Sequence, residues 1–385
     1  MKDNLLLISF ISLILGADGF LSGLSPKPKQ RLSRIYPLLA QVTSNNEEDK
    51  QDYLAFGMLI SSFTDGMTES TSNFFKYSLA SVLVMESIQQ TQVGIEENVK
   101  FSPCNGPDID LLGKLENGDE LLIDDGRSRE DKTDKMMKFL QKGQEFRDIR
   151  VLYIPTAMYA LRADSSNTPG KQRQRARADG KKRRNQLVGH IEKMMGNSEK
   201  FNILAATLDF DDGTIKQPTG SDDKSKFPTN GKDALTSWNP HIIYIEGGNT
   251  FWLYHCMDKS EENYMELIKN ACCTQRDDGD SSKFPSVYIG KSAGAIVAGK
   301  YVETATWKGW DDPSVVPEKE TYDKWMGDLA LDMVGGASIF PHMSDDWISL
   351  VAEKKESSPQ ISQLFCLEEW DACCVEGSKE EVFVN

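Results

Sequence analysis

Short apolar runs alternate with helix-like segments between residues 149 and 299, and this alternation constrains the fold more than any other feature. Four runs rich in β-branched and aromatic residues predict buried strands: IRVLYIPTA, FNILAATLDF, HIIYIEGGN and SVYIGK. The intervening segments RRNQLVGHIEKMMG, TFWLYHCM and ENYMELIKNACC have the apolar spacing of helices. Strands that are separated by helices form a parallel sheet covered on both faces. The sequence therefore predicts an α/β fold, a parallel three-layer sheet with helices on both faces.

The region before this alternation, residues 24–147, is polar and rich in turn residues. Its stretches YLAFGMLISSF and NFFKYSLASVLVMESIQ have helical spacing and predict two amphipathic helices. The stretch NGDELLIDDGRSREDKTDKMMKFLQKG predicts a short strand followed by a helix. We therefore expect a mostly helical N-terminal extension of unassigned role at 24–147 and the α/β domain at 148–385.

The first 23 residues follow the plan of a secretory signal peptide. Lys2 precedes an apolar run from Leu5 to Leu15, and small residues follow from Gly16. The run is too short to cross a bilayer, which needs about 20 apolar residues; a buried N-terminal helix is the alternative. We expect a secreted protein or one of the endomembrane lumen. Phe20 behind the small residues also resembles the presequences of algae with complex plastids, so a plastid destination stays open.

Composition excludes several classes of function. The formal net charge of −15 argues against a general nucleic-acid-binding protein. The basic run KQRQRARADGKKRRN contrasts with this acidity, and we interpret it as the solvated face of a helix. A patch that binds anions or nucleic acid is the alternative. The seven cysteines include no CxxC spacing, and DFDDG lacks the spacing and closing glutamate of an EF-hand. The sequence thus gives no reason to expect a metal or cofactor.

The pentapeptide Gly290-Lys291-Ser292-Ala293-Gly294 lies between a predicted strand and a predicted helix. It matches G-x-S-x-G, the nucleophile elbow, in which a sharp turn exposes the serine hydroxyl at the edge of a sheet. The N–H of Ala293 would then lie at the helix N-terminus, where an oxyanion can be held. A tight turn with an incidental serine is the alternative, because such matches are common by chance.

A serine nucleophile needs a base within hydrogen-bonding distance, and the chain has four histidines. His190 lies within a predicted helix, His241 at the start of a strand and His255 in an aromatic helical stretch. His342 instead follows the apolar run GGASIFP, which predicts a strand. Residues just beyond the carboxyl ends of parallel strands converge on one crevice. His342 is therefore the best candidate for the base of Ser292.

A second glycine turn, Gly247-Gly248, also follows a predicted strand. Glycine allows the backbone to approach a ligand closely and to direct N–H groups at it. Asn249 and Thr250 come next; they are good caps for the following helix and our candidates for substrate binding. Simple strand–turn–helix capping explains this stretch equally well.

The motifs YIEGGNTFWL, YIGKSAGAIVAG and IFPHMS, in this order and spacing, resemble the dipeptidase E (aspartyl dipeptidase) family of serine peptidases. Cyanophycinase is a more distant relative, and the family's fold is similar to that of class I glutamine amidotransferases. The resemblance extends over roughly residues 148–375. It implies Ser292 as nucleophile, His342 as base, and an oxyanion hole made by the N–H groups of Gly248 and Ala293.

The resemblance leaves the acidic member of the triad open. TATWKGWDDPSVV aligns with the family at Asp311 only with an insertion, so Asp312 is an alternative, and Glu369 matches a family glutamate near the site. The chain also departs from the family at Glu246, which replaces a glycine and could place negative charge beside the oxyanion hole. An arginine-containing segment after the histidine is absent, and Asp345 is present there instead.

We therefore expect a serine-type peptidase that hydrolyses short peptides through a Ser-His-Asp/Glu triad and needs no cofactor. Asp345 and Asp346 would repel an acidic substrate, so neutral or basic N-terminal residues are expected to be preferred. The expected partner is a small peptide substrate rather than nucleic acid or membrane, and a homo-oligomer stays open. The alternatives are a non-catalytic binding protein on the same fold and a cyanophycinase-like hydrolase.

Overall fold

The computed structural model describes residues 53–62, 68–92, 128–142, 147–162, 165–196, 200–217, 223–273, 284–317, 319–377 and 379–383. All described residues lie within one compact unit. The predicted signal peptide and the predicted strand in NGDELLIDDG lie outside the described residues. None of the described helices combines the length and the apolar character needed to cross a membrane.

The sheets are built from the following strands: β1 (Phe56–Ile60), β2 (Arg147–Ile154), β3 (Phe201–Asp209), β4 (Thr214–Lys216), β5 (Ile242–Ile245), β6 (Val287–Lys291), β7 (Ala337–Phe340), β8 (Gln363–Cys366), β9 (Ala372–Glu376) and β10 (Lys379–Phe383). Eight of them form one sheet in the order β10-β9-β1-β6-β5-β2-β3-β4. Its five central strands are parallel, whereas β4, β9 and β10 are antiparallel additions at its edges. β7 and β8 form a separate parallel pair.

The helices cover both faces of the large sheet, as predicted. They are α1 (Glu69–Gln92), α2 (Arg129–Lys142), α3 (Pro169–Met194), α4 (Gly231–Leu235), α5 (Thr250–Asp258), α6 (Tyr264–Cys272), α7 (Ala293–Ala298), α8 (Thr304–Trp307) and α9 (Ile348–Ser357). In β6, Val287 and Ile289 pack in the core layer of α1–α3, and Tyr288 packs in the layer of α4–α7. This alternation follows from the two-residue period of a strand. The predicted α/β fold is confirmed.

Strand β1 corrects the prediction of an amphipathic helix at residues 53–63. All five β1 residues are buried, and β1 pairs with β6 on one side and with β9 on the other. A short apolar run fits a buried strand or a helix equally well by periodicity, and pairing on both sides satisfies the β1 backbone in the sheet. The second predicted helix of this region is present as α1. The α/β domain therefore begins upstream of the boundary predicted at residue 148.

The basic run forms part of α3, and several of its arginines bind carboxylates at the carboxyl end of the sheet. Arg184 is buried and donates to Thr207 Oγ1 at 2.9 Å. The ion pairs of this region are Arg173–Asp211, Arg177–Asp212, Lys216–Asp209 and Arg183–Glu246. Arg184 departs from the interpretation as a solvated helix face, whereas Arg177 and Arg183, with 38% and 45% of their side chains exposed, bind carboxylates of the sheet edge from a solvated position. The DFDDG aspartates, whose oxygens lie within 4.8 Å of one another, belong to this ion-pair network.

Candidate active site

Ser292 lies in the turn between β6 and α7, at the carboxyl edge of the sheet. Its backbone has φ 48° and ψ −104°, a conformation that non-glycine residues rarely adopt and that persists only where the surroundings enforce it. Its N–H donates to the Ile60 carbonyl at 2.8 Å, which ties the turn to the end of β1. The predicted nucleophile-elbow geometry is present.

The two glycines of the pentapeptide are required by close contacts. A Cβ atom on Gly290 would lie 2.5 Å from the Gly294 carbonyl oxygen, and one on Gly294 would lie 2.3 Å from the Ile245 carbonyl oxygen. Both distances are far below van der Waals contact, and the opposing atoms belong to the backbone. The missing side chain of Gly290 allows β6 to approach α7, and that of Gly294 allows α7 to approach β5.

His342 follows β7 and contacts the nucleophile. Its Nε2 lies 3.0 Å from Ser292 Oγ, and its Nδ1 lies 2.7 Å from Glu369 Oε2. A neutral imidazole that donates from Nδ1 to the carboxylate leaves Nε2 free to accept the serine proton. The expectation that His342 reaches Ser292 is met, although β7 belongs to the small sheet rather than to the large one.

Glu369 follows β8 and is the carboxylate that the structure places on His342. Burial opposes ionisation of Glu369, but the hydrogen bonds from His342 and Ser62 outweigh it and lower the pKa of the carboxyl. The Glu369 side chain is 46% exposed. Glu369 is therefore ionised and oriented toward the imidazole from the solvent side of the site.

Asp311 and Asp312 have other partners. Asp311 accepts from the Thr250 N–H at 3.0 Å, and burial raises the pKa of Asp311 despite this bond. Asp312 accepts from the Ser314 N–H at 2.8 Å and so caps a short 3-10 turn. Neither aspartate hydrogen-bonds to the His342 imidazole in the described structure. Asp311 and Asp312 instead hold the loop after α8 against the start of α5.

The glycine turn after β5 lies beside the nucleophile. A Cβ atom on Gly247 would be 3.0 Å from Ser292 Cβ, and one on Gly248 would be 2.3 Å from the Ala157 carbonyl oxygen. Among the described residues, the N–H groups of Gly248 and Ala293 donate no hydrogen bond to the protein. Two N–H groups that flank a serine hydroxyl and have no protein acceptor are suited to hold a developing oxyanion.

Glu246 does not leave an isolated negative charge beside this turn. Its carboxylate lies 2.8 Å from Lys291 Nζ and 3.2 Å from Arg183 Nη1, and it accepts from Tyr153 at 3.0 Å. The side chain is 2% exposed. Two cations thus compensate the Glu246 carboxylate. The glutamate at the position of the family glycine therefore leaves no uncompensated negative charge beside the turn.

The predicted substrate-binding pair is used for local structure. Asn249 Oδ1 accepts from the Trp252 N–H at 2.9 Å, and Asn249 Nδ2 donates to the Asp312 carbonyl at 3.0 Å. Thr250 is fully buried. The capping alternative describes this stretch, and a role of Asn249 and Thr250 in substrate binding stays a prediction.

The three other histidines lie outside the Ser292 contact. His241 is buried between Glu86 and Arg150, at the start of β5. His255 Nδ1 lies 2.9 Å from the Tyr322 hydroxyl. His190, on α3, borders a separate cavity.

Comparison with known proteins identifies the family of this site. The model of peptidase family S51 matches residues 229–379. Over these residues the chain is similar to peptidase family S51. This S51 region contains Ser292, His342 and Glu369, and the match confirms the resemblance to the dipeptidase E family. The chain thus carries a peptidase domain.

One solved structure similar to this chain is a candidate peptidase E from Listeria monocytogenes EGD-e. The two sequences are 15% identical over 64% of this chain and 92% of that chain, with a TM-score of 0.34. No curated protein matches the sequence significantly.

Two cavities lie near the turn that carries Ser292. The smaller, of about 40 Å³, is bordered by Ser292 and His342 together with Lys308 and Trp310. The larger, of about 570 Å³, lies between α3 and the sheet edge. Its lining includes Lys182, Arg183, Lys291, Asp179, Glu246 and Ser62. Three cations and two carboxylates thus line the larger cavity, a formal excess of one cation, and two of the cations, Arg183 and Lys291, are paired with Glu246.

Sequence reasoning missed four residues of the S51 site. Ser61 and Ser62 follow β1 directly, and a polar pair at the end of a short apolar run was the available signal. Lys308 and Trp310 lie in the segment between α8 and Asp311, where the sequence showed only an insertion. Their contribution depends on which loops meet at the sheet edge, which no local pattern contains.

Proposed function

We propose that the S51 domain is a serine-type peptidase that hydrolyses short peptides with Ser292 as nucleophile, His342 as base and Glu369 as the group that orients it. The observation that carries this proposal is the continuous hydrogen-bonded series from Ser292 Oγ through the imidazole to the Glu369 carboxylate, at 3.0 and 2.7 Å. Geometry of this kind is how a serine nucleophile is recognised on unrelated folds.

The proposed reaction uses each group at a stated atom. His342 Nε2 takes the Ser292 proton as Oγ attacks the substrate carbonyl carbon, and the imidazolium that forms is stabilised by Glu369. The N–H groups of Gly248 and Ala293 bind the oxyanion. His342 then gives its proton to the leaving amine, which departs and leaves an acyl-serine ester. In the second half of the reaction His342 takes a proton from a water molecule as its oxygen attacks the acyl carbon. His342 then returns this proton to Ser292 Oγ. No step of this sequence calls on a cofactor.

The larger cavity supports a short substrate. A dipeptide has a free carboxylate close to its scissile bond, and Lys182 offers it a charged donor beside Arg183 and Lys291, which also bind Glu246. An internal peptide bond of a protein brings no such charge. Asp345 and Asp346, on which the expected preference for neutral or basic residues rests, are both exposed in a 3-10 turn. We therefore assign substrate selection to the larger cavity rather than to these aspartates.

The test of the proposal compares dipeptides with variants of the triad. We expect Ser292→Ala and His342→Ala to reduce hydrolysis of Ala-Ala to a similar low level, because triad members act as a unit. Ser349→Ala, an exposed serine on α9, is the matched control and should retain wild-type activity. Ala-Ala amide should show a higher KM than Ala-Ala, since the amide lacks the carboxylate.

Full activity in Ser292→Ala would contradict the assignment of the nucleophile. A folded wild-type protein that binds dipeptides without cleaving them would favour the alternative of a non-catalytic binding protein. Equal KM values for the amide and the free dipeptide would contradict the role of the cavity while leaving the triad unaffected.

A further inference from the structure

His342 has a backbone conformation that must be held in place. Its φ is 54°, in the left-handed region that side chains other than glycine, asparagine and aspartate rarely adopt. Such strain persists only where the surroundings enforce it. The imidazole must nevertheless meet Ser292 Oγ and Glu369 at the same time, so the groups that fix the His342 backbone also fix the base.

Two side chains bind the backbone of His342 from opposite ends. The His342 N–H donates to Ser61 Oγ at 2.8 Å, and the His342 carbonyl accepts from Lys308 Nζ at 2.6 Å. Lys308 Nζ also donates to the Pro341 carbonyl at 2.6 Å. We call Ser61 and Lys308 the His342 clamp.

Ser61 connects the clamp to the segment that carries the orienting carboxylate. It is fully buried, directly behind β1, and its Oγ donates to the Leu367 carbonyl at 3.0 Å. The Met343 N–H donates to the same carbonyl at 2.7 Å. The backbone of the base and the backbone two residues before Glu369 are thus tied through one hydroxyl.

Lys308 is held among aromatic rings. Its Nζ lies 4.3 Å from the ring centre of Phe340, 4.5 Å from that of Trp310 and 5.4 Å from that of Trp347. A cation over aromatic faces is attracted to them, and the attraction grows where water is excluded. This arrangement fixes the ammonium group where it reaches the Pro341 and His342 carbonyls.

We propose that Ser61 and Lys308 are positioning residues, which hold the His342 imidazole in line with Ser292 by fixing its strained backbone. The proposal rests on the proposed function, because the purpose of the clamp is to place the base of the triad. Neither residue takes part in bond making; each acts through His342.

The two halves of the clamp differ in their response to pH. Burial lowers the pKa of Lys308 to about 8, although the nearby Cys366 and Glu369 oppose this shift. Burial raises the pKa of the Cys366 thiol to about 12, so this thiol does not gain charge near pH 8. The titratable groups on the segments around Lys308 are Asp311, His342, Asp345, Asp346, Cys366 and Glu369.

Loss of the proton from Lys308 weakens its two hydrogen bonds, because the neutral amine donates without charge assistance, and it removes the attraction of the cation to the rings. The charged, clamped form is therefore present below pH 8 and is lost as the pH rises through about 8. The bonds of Ser61 do not involve an ionising side chain. The clamp thus predicts a fall of kcat on the alkaline side whose position changes when Lys308 is substituted.

The experiment compares Lys308→Met, Lys308→Arg and Ser61→Ala with wild type over pH 6 to 10 on one dipeptide. We expect Lys308→Met and Ser61→Ala to lower kcat by about ten- to a hundredfold, because small misplacement of a catalytic group has effects of this size. KM should change little, since substrate contacts are kept. Lys308→Arg should recover part of kcat and move the alkaline fall upward, because the guanidinium stays charged. Ser61→Ala should keep the wild-type position of that fall.

Lys259→Met is the matched control. Lys259 also lies over an aromatic ring, that of Tyr322 at 5.6 Å, but it has no contact with His342, so its kcat and pH profile should match wild type. Wild-type kcat in Lys308→Met, or an unmoved alkaline fall in Lys308→Arg, would overturn the clamp. If Lys308→Met does not fold, the wild-type and Lys308→Arg profiles decide the question.

Labelling of Ser292 with a fluorophosphonate separates this proposal from the function on which it rests. The label reports the serine–base pair without a peptide-binding step. If wild type is labelled and hydrolyses the dipeptide, and the clamp variants match it in both, the clamp is refuted and the triad is retained. Wild type that does neither refutes the triad, and the clamp's catalytic role with it.

Discussion

Substitution of Glu369 by glutamine tests how much an exposed orienting carboxylate contributes. Where a triad carboxylate is buried, exchange for the amide lowers kcat by about 10⁴-fold, because the amide imposes the wrong tautomer on the imidazole. Here the Glu369 side chain is 46% exposed, so a glutamine can rotate until its carbonyl oxygen faces His342 Nδ1. The hydrogen bond is then kept, and only its charge assistance is lost.

A hydrogen bond to a charged acceptor is more favourable than one to a neutral acceptor by about 1–2 kcal/mol in net free energy. Solvent at the half-exposed carboxylate reduces this toward the lower figure. We therefore expect Glu369→Gln to lower kcat by about 5- to 30-fold, which is 1–2 kcal/mol in activation free energy. The Ser292–His342 distance of 3.0 Å should be unaffected.

The assay is steady-state hydrolysis of one dipeptide at pH 7, with Glu368→Gln as the matched control. Glu368 is the exposed neighbour of Glu369, and its exchange should leave kcat unchanged. A loss beyond about a thousandfold in Glu369→Gln would show that the tautomer is imposed despite exposure, contrary to the reasoning from solvent access. A loss below about twofold would show that Glu369 does not orient the base.

Two further predictions concern stability. Gly294→Ala should destabilise the domain by about 1–3 kcal/mol and abolish activity, because the new Cβ would lie 2.3 Å from the Ile245 carbonyl oxygen. Gly189→Ala on α3, which has open space around it, is the control. Equal urea midpoints for the two variants would contradict the steric explanation. The second prediction concerns Glu86. Burial raises the pKa of its carboxyl, but the hydrogen bond from His241 and the charges of His241 and Arg150 outweigh burial, so the pKa falls from 4.5 to about 2. The stabilisation is therefore present above pH 4.5 and is lost as the pH falls toward 2, so the difference in urea midpoint between wild type and Glu86→Gln should shrink over that range. A pH-independent difference would refute this linkage.

The alternation of strands and helices predicted the α/β fold because each element of the central sheet has its own local signal. The exception is β1, whose five-residue run has no period long enough to separate strand from helix. Only its neighbours decide the matter, since β6 and β9 pair with both of its edges. Those partners come from distant parts of the sequence, and no window around residue 56 contains them.

In the candidate site, too, the features with a local sequence signal could be predicted and those that depend on distant contacts could not. Ser292 and the glycines around it lie in one continuous stretch, so the elbow is a local feature. His342 could be placed because it ends a predicted strand. Glu369 could be named only among three acids, because its contact with the imidazole depends on how the small β7–β8 pair sits beside the large sheet. Lys308 had no signal at all.

The position of Ser61 between the strands also has a consequence for folding. Its hydroxyl bonds to His342 across 281 residues of sequence and to Leu367 across 306. Contacts of such separation form late, because the loop they close must lose its conformational freedom first. A chain emerging from the ribosome therefore exposes its proposed nucleophile well before the base and its support can assemble. If Ser292 acts as proposed, the unfinished chain lacks the contact between Ser292 and His342, which exists only in the completed fold.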